Sequence, residues 1–509
     1  MRLKIIVLST IFSMIANAPI MAAGPKAGSK CPLEGFVQSE GSKTFTCTKV
    51  GKKLKWKKTS KDAIKYDISK TYSTDDGYFD NIVGGPCAED PLVPEEWKAM
   101  QEFSRKYGGC GGQLRIAKYE LGTKRPATIY DPASNFQDIS QCKLTITKDW
   151  DRTGLDTNPN SWRKERAYPG PNTVIQLIPI YSDDSAKPKN SPQKDYEKYL
   201  RYLKEWIDYS SDFGSDTKFR IPDQYIKFDK NIADYNLYHP VSWETPGHLR
   251  FNKDVIETVD PAIDFKGANI GIIVSPPGTD AKIMQQAALG SFQTSEGLVP
   301  VGFSQFADIP SNPYGSTYRG LTHPFWWIHE AYHAGFGFDD RYGDMKLNIN
   351  TEYGMGWWTM MTPWGGDLSI WEKWVLGFVK DSQMQCRSGN SATTHWIAPS
   401  SVKTKESKAV VIPLSQTKAI VVESIRSAGL YYKHPEEIVG ALVYDIDLER
   451  IDHGMSMKLG LPKNRTATSA QFFLSGATLK KGDHTIIDGY KISVVESGTY
   501  GDVVKVEKI

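Results

Sequence analysis

Histidine is scarce in this chain, with nine in 509 residues, and cysteine is scarcer at six. No two cysteines form a C-x-x-C pair, so a thiolate zinc site has no support. Neither sign of charge dominates. The 62 Lys and Arg against 59 Asp and Glu leave a net charge of +3, too small to argue for nucleic acid as a partner. Beyond the first two dozen residues no run is apolar enough to span a bilayer, and no repeat of the solenoid kind is visible. What remains, 40% hydrophobic and 24% charged, reads as a globular chain long enough for two or three domains.

The opening MRLKIIVLSTIFSMIANAPIMAAG combines a basic start (Arg2, Lys4), an apolar run and small residues from Ala16 to Ala23. This pattern predicts a secretory signal over residues 1–23, with an N-terminal membrane anchor as the alternative. The mature protein is then expected to be secreted or cell-wall associated, with no membrane span. An even cysteine count in an exported chain points to disulfides. Cys31 with Cys47 is the local pairing and Cys87 with Cys110 the next.

Residues 24–58 read as a small two-cysteine β module ending in the basic stretch KKLKWKK. That stretch suggests contact with an anionic cell-wall polymer, and equally a solvated lysine face on a spacer. It resembles lysine-rich, two-cysteine modules of exported proteins. A polar linker (59–75) follows, then a predicted helix in PEEWKAMQEFSRKYG, closed by Gly108. Buried strands are expected at 172–182 (NTVIQLIPIYS) and 268–278 (ANIGIIVSPPG). Between them PQKDYEKYLRYLKEWIDYS carries Tyr196, Tyr199, Leu200, Leu203 and Trp206 at helical spacing. The fold class expected is α+β: a peptidase-sized unit over 76–386, built of a mixed sheet and helices, then an all-β sandwich over 387–509.

The chemistry concentrates in HEAYHAGFGFDD, residues 329–340. In a helix, residues four apart lie on one face about 6 Å apart along the axis. His329 and His333 can thus offer two imidazole nitrogens to one zinc ion, and Glu330 is placed as general base for a water held there. The bland alternative is a pair of core histidines bonded to backbone carbonyls. A third ligand is needed. Asp339, six residues beyond His333 across a glycine-flanked turn, is favoured. Asp340 is its one-residue rival, and Glu352 would serve if a second helix supplied the ligand. Downstream, GMGWWTMMTPWGG carries Met360 and Met361 on a tight turn suited to floor such a site with a thioether. Ser369 and Glu372 then form a capping box on a helix closed by Gly377.

These motifs together give a resemblance. Residues 172–385 are similar to the peptidase domain of immune-inhibitor-A-type metalloproteases, a metzincin-like family. The likeness is carried by VIQLIPIYSDD, DPAIDFKGANIGIIV, HEAYHAGFGFDDRYG and MMTPWGGDLSIWEKWVLGF, while AIVVESIR and GALVYDID resemble the β domain that follows the peptidase there. The resemblance implies a secreted zinc endopeptidase acting on protein or peptide substrates. It implies zinc held by His329, His333 and Asp339, Glu330 as base, and Met361 at the Met-turn. Family members often bind calcium as well, with Asp340 and Asp344 as candidates against the reading of solvated loop carboxylates. Two departures stand out. The family glycine falls seven residues after the first histidine, where this chain has Phe336, and the family tyrosine two residues after the aspartate fits Asp340 with Tyr342.

Tyr342 is a candidate oxyanion donor, with a core or surface tyrosine as the favoured alternative, and the strand GLVPVGF (297–303) a candidate partner for an extended substrate. Residues 59–165 could include a pro-segment, with Cys87 as a metal-capping thiol if it is not in a disulfide. Two other functions fit the same features. One is a non-catalytic wall-binding protein that keeps the zinc fold, which the retained Glu330 disfavours. The other is a zinc hydrolase of peptidoglycan cross-links.

Overall fold

The computed structural model describes residues 26–30, 37–40, 43–59, 119–146, 151–158, 170–237, 246–280, 283, 290–305, 324–341 and 354–509, the last without 357, 363–365, 432–433, 435, 453, 465–473 and 475. The signal, the helix expected before Gly108, Cys31, Cys87, Cys110, Tyr342, Asp344 and Glu352 lie outside the described residues.

The first sheet begins with a meander, β1 (Val37–Glu40), β2 (Lys43–Val50) and β3 (Lys53–Thr59). It continues through β4 (Asn172–Tyr181), β5 (Asp216–Pro222), β6 (Ile226–Lys227), β7 (Ile270–Val274), β8 (Gly290–Thr294) and β9 (Gly297–Gln305). Its order is β3-β2-β1-β5-β4-β7-β9-β8, with β6 also on β4. β4, β5, β7 and β9 run parallel. Parallel strands are covered on both faces, which accounts for the unbroken apolar runs. Ile175 and Leu177 of β4 face one core together with Tyr196, Leu200, Leu203 and Trp206 of helix α1 (Pro192–Ser210). Ile178 and Ile180 face the other, with Phe251, Val255 and Val259 of α2 (Pro246–Val259). α1 starts where Pro192 follows Ser191, whose hydroxyl accepts from Lys194 N at 3.3 Å.

The lysine-rich 24–58 unit does not stand apart. β1 pairs in parallel with β5, from Val37 opposite Arg220 to Ser39 opposite Pro222. β3 thereby becomes an outer strand, and its exposed Lys57 and Lys58 discourage another chain from pairing there. That role explains part of the charge without any wall polymer. At the opposite end, GLVPVGF forms β9, held by β7 on one side and β8 on the other. Its first half, Gly297–Val301, pairs with β8 and its second half, Val301–Gln305, with β7. Among the described residues the outer ladder there belongs to β8.

The C-terminal unit is two antiparallel-rich sheets. The first has order β10-β12-β13-β14-β15, using β10 (Met384–Cys386), β12 (Ala409–Pro413), β13 (Lys418–Ile425), β14 (Gly440–Asp447) and β15 (Met457–Leu459). The second has order β11-β18-β17-β16, using β11 (Thr393–Ile397), β16 (His484–Ile487), β17 (Tyr490–Gly498) and β18 (Gly501–Lys508). Ile420 and Val422 of β13 meet Ile492, Val504 and Val506 of the second sheet. Their alternates Ala419 and Val421 join the large core of the first unit. One sheet thus serves two cores, and the two units share a continuous apolar contact.

Residues 119–146, expected within the first unit, run along the second. Asp131 N donates to Thr394 O at 2.9 Å, Thr128 N to Glu496 Oε2 at 2.6 Å, and Cys142 is disulfide-bonded to Cys386, 244 residues away. A bridge closing so long a loop is worth about 2–5 kcal/mol. Cys142→Ala with Cys386→Ala is expected to free this segment to proteolysis and to lower the melting temperature.

Candidate metal centre

Helix α3 (Pro324–Ala331) carries the first histidine and runs directly into a π-turn, Tyr332–Phe336, that carries the second. Tyr332 packs against Phe336 and Phe338 at ring separations of 5.4 and 6.1 Å and against Trp206 of α1 at 6.1 Å. The aromatic side holds the helix in the core and turns the imidazoles the other way. A π-turn accommodates one residue more than an α-turn, and such insertions recur at functional sites. The left-handed residue that ends the turn is Gly337 (φ 71°), one later than the position taken by Phe336.

The inserted residue decides the third group. The carboxylate brought to the histidines is that of Asp340, not Asp339. Asp340 Oδ1 lies 3.2 Å from His329 Nε2 and 3.2 Å from His333 Nε2, and the two Nε2 atoms are 3.0 Å apart. Asp339, favoured from the sequence, instead accepts from Gly454 N at its Oδ2 (3.2 Å) and donates its backbone N–H to Thr153 O (3.3 Å). Among the described residues, His329, His333 and Asp340 are the group whose ligand atoms gather within 4.8 Å. Asp340, also a calcium candidate, is thereby placed with the histidines.

Both imidazoles do bond backbone carbonyls, but through Nδ1. His329 Nδ1 is 2.9 Å from Met360 O, and His333 Nδ1 is 2.5 Å from Phe338 O. A carbonyl can only accept, so each Nδ1 donates to its carbonyl and Nε2 is the nitrogen each ring turns inward. Two imidazole nitrogens and a carboxylate oxygen then face one another in a buried place, an arrangement that a shared metal cation or a proton would stabilise. Edges of 3.0–3.2 Å are close to the edge of about 3.3–3.4 Å for a tetrahedron with zinc distances of about 2.0–2.1 Å. The donor set, two nitrogens and one oxygen, fits zinc with a fourth position open. Without metal a proton would take that place. Burial alone depresses the His333 pKa, but the Asp340 carboxylate, aided by Glu330, raises it to about 9. Glu330 itself is 7% exposed.

The Met-turn contributes backbone as well as apolar side chains. Met360 and Met361 are both fully buried, and the Met360 carbonyl orients His329. The capping box expected from Ser369 and Glu372 is present at the start of α4 (Ile370–Val375). Glu372 Oε2 also accepts from Thr359 Oγ1 at 2.5 Å, which ties that helix to the turn.

Two supports escaped the sequence reading, Arg341 and the loop 151–156. Gly154 has φ 73°, and a Cβ there would come within 2.7 Å of Gly337 O and of Phe338 Cα. Gly154→Ala is expected to cost more than the about 1–2 kcal/mol of a left-handed non-glycine residue. Because Phe338 O orients His333, the substitution should also disturb that imidazole; an unchanged melting temperature in thermal unfolding would show that the loop does not brace the site.

No protein-family profile matches the chain, and no curated protein does. Among solved structures it is similar to catalytically inactive OgpA from Akkermansia muciniphila in complex with an O-glycopeptide substrate. Identity is 15% over 51% of this chain and 71% of that one, with a TM-score of 0.23.

Proposed function

We propose that the chain is an exported zinc endopeptidase, with His329, His333 and Asp340 as ligands and Glu330 as general base. The observation that carries this is the convergence of two Nε2 atoms and one carboxylate oxygen, with both Nδ1 atoms committed to carbonyls. Bound zinc would supply a Lewis acid for the scissile carbonyl and for water. Glu330 would take the water's proton and deliver it to the leaving amine. The motifs that resemble immune-inhibitor-A-type peptidases support the same reading, as does the signal-like N-terminus. Contact between the lysine-rich edge and an anionic wall polymer remains part of the proposal, resting on charge alone.

The test is metal removal. Chelation should abolish release of peptides from casein, and added zinc should restore it, while purified cell wall releases nothing. Release from wall instead would favour cross-link hydrolysis. Adhesion to wall without cleavage of either would leave a non-catalytic binder, and zinc-free protein with full activity would end the zinc reading.

A further inference from the structure

Arg341 follows Asp340 directly, and its side chain is fully buried. A guanidinium taken out of water is tolerated only where its donors are met. Here they reach four separate parts of the chain. Nη2 donates to Thr153 O at 2.6 Å. Nη1 donates to Ser456 Oγ at 3.0 Å and to Asp340 O at 3.1 Å. Nε lies 3.4 Å from Glu372 Oε1, an ion pair in which neither atom makes a hydrogen bond. The partners belong to the 151–156 loop, the β14–β15 loop of the C-terminal sandwich, the metal loop itself and helix α4. The main chain is held equally well. Arg341 N donates to Met361 O at 2.9 Å, and Met355 N donates to Arg341 O at 2.6 Å.

The consequence lies in what shares these anchors. Met360 O sets the ring of His329, and Met361 O holds the residue next to Asp340. One two-residue turn therefore places two ligand-bearing segments relative to each other, and the Arg341 side chain keeps the second against it. The metal loop is also fastened to the sandwich twice, through Arg341 with Ser456 and through Asp339 with Gly454.

We infer that Arg341 is a positioning residue for the metal centre, and that through Ser456 the C-terminal sandwich takes part in fixing the Asp340 carboxylate. This rests on the zinc reading above, and the experiment separates the two. Lysine offers one compact point charge where Arg341 bonds in three directions, so Arg341→Lys should not substitute for it. Zinc affinity by chelator competition and the visible spectrum of the Co²⁺-loaded protein are measured for wild type, Arg341→Lys and Ser456→Ala. Loss of an orienting outer partner weakens metal binding by about 10–100-fold. That loss is expected for Arg341→Lys, with an altered Co²⁺ spectrum. Ser456→Ala, which removes one hydrogen bond, should give a smaller weakening and a shifted spectrum at nearly unchanged melting temperature.

Wild-type protein that binds no zinc would sink the zinc reading and this inference with it. Wild type that binds zinc, with a folded Arg341→Lys matching it in affinity and spectrum, would overturn the inference alone. If Arg341→Lys does not fold, Ser456→Ala decides: wild-type affinity and spectrum there overturn it.

Discussion

Asp340→Ala should empty the metal site, while Asp339→Ala should leave it filled. Asp340 gives its Oδ1 to both Nε2 atoms at 3.2 Å, so its removal takes away a direct ligand in a buried cluster. The loss of affinity should exceed the about 10–100-fold typical of an outer partner. Asp339→Ala removes the bond from Gly454 N to Oδ2, a contribution of about 0.5–1.5 kcal/mol to the loop, and takes no atom from the His329–His333–Asp340 cluster. Zinc titration of the two variants side by side gives the answer. A filled site in Asp340→Ala with an empty one in Asp339→Ala would mean that the turn is one residue shorter than the π-turn described here.

That one-residue difference shows where the sequence is legible. Histidines four apart beside a glutamate declare themselves, because helical spacing is a local property. The capping box of Ser369 and Glu372 is legible for the same reason. A π-turn has no composition of its own; against the pattern that the resemblance to immune-inhibitor-A-type peptidases implies, the sequence departs twice, with glycine at 337 rather than 336 and with Tyr342 in register with Asp340. Each is a displacement by one residue, and one inserted residue accounts for both.

What depends on distant partners was not legible. Nothing local in DDRYG marks Arg341 for burial. Its burial follows from Ser456 and Thr153, which lie 115 and 188 residues away. The apolar GLVPVGF announces a strand but not its neighbours, so its interior place between β7 and β8 could not be foreseen. The run AIVVESI predicts a buried strand of the sandwich. Only packing reveals that its two faces serve two different cores.

Glu330→Gln separates binding from chemistry. Glu330 is nearly buried in the first turn of ligands, and its negative charge helps raise the His333 pKa, so it stands close to the converging atoms without being one of them. Glutamine keeps the shape and removes the capacity to accept a proton. Zinc content should therefore stay at the wild-type level while kcat falls by about 10²–10⁴-fold, the usual worth of a general base. Loss of zinc in this variant would reassign Glu330 as a ligand. Retained turnover would show that some other group takes the proton. Glu330→Ala should lose turnover to the same extent and also keep its zinc, since the three ligands are oriented by Met360 O, by Phe338 O and by the Asp340–Arg341 loop, none of which involves the Glu330 side chain.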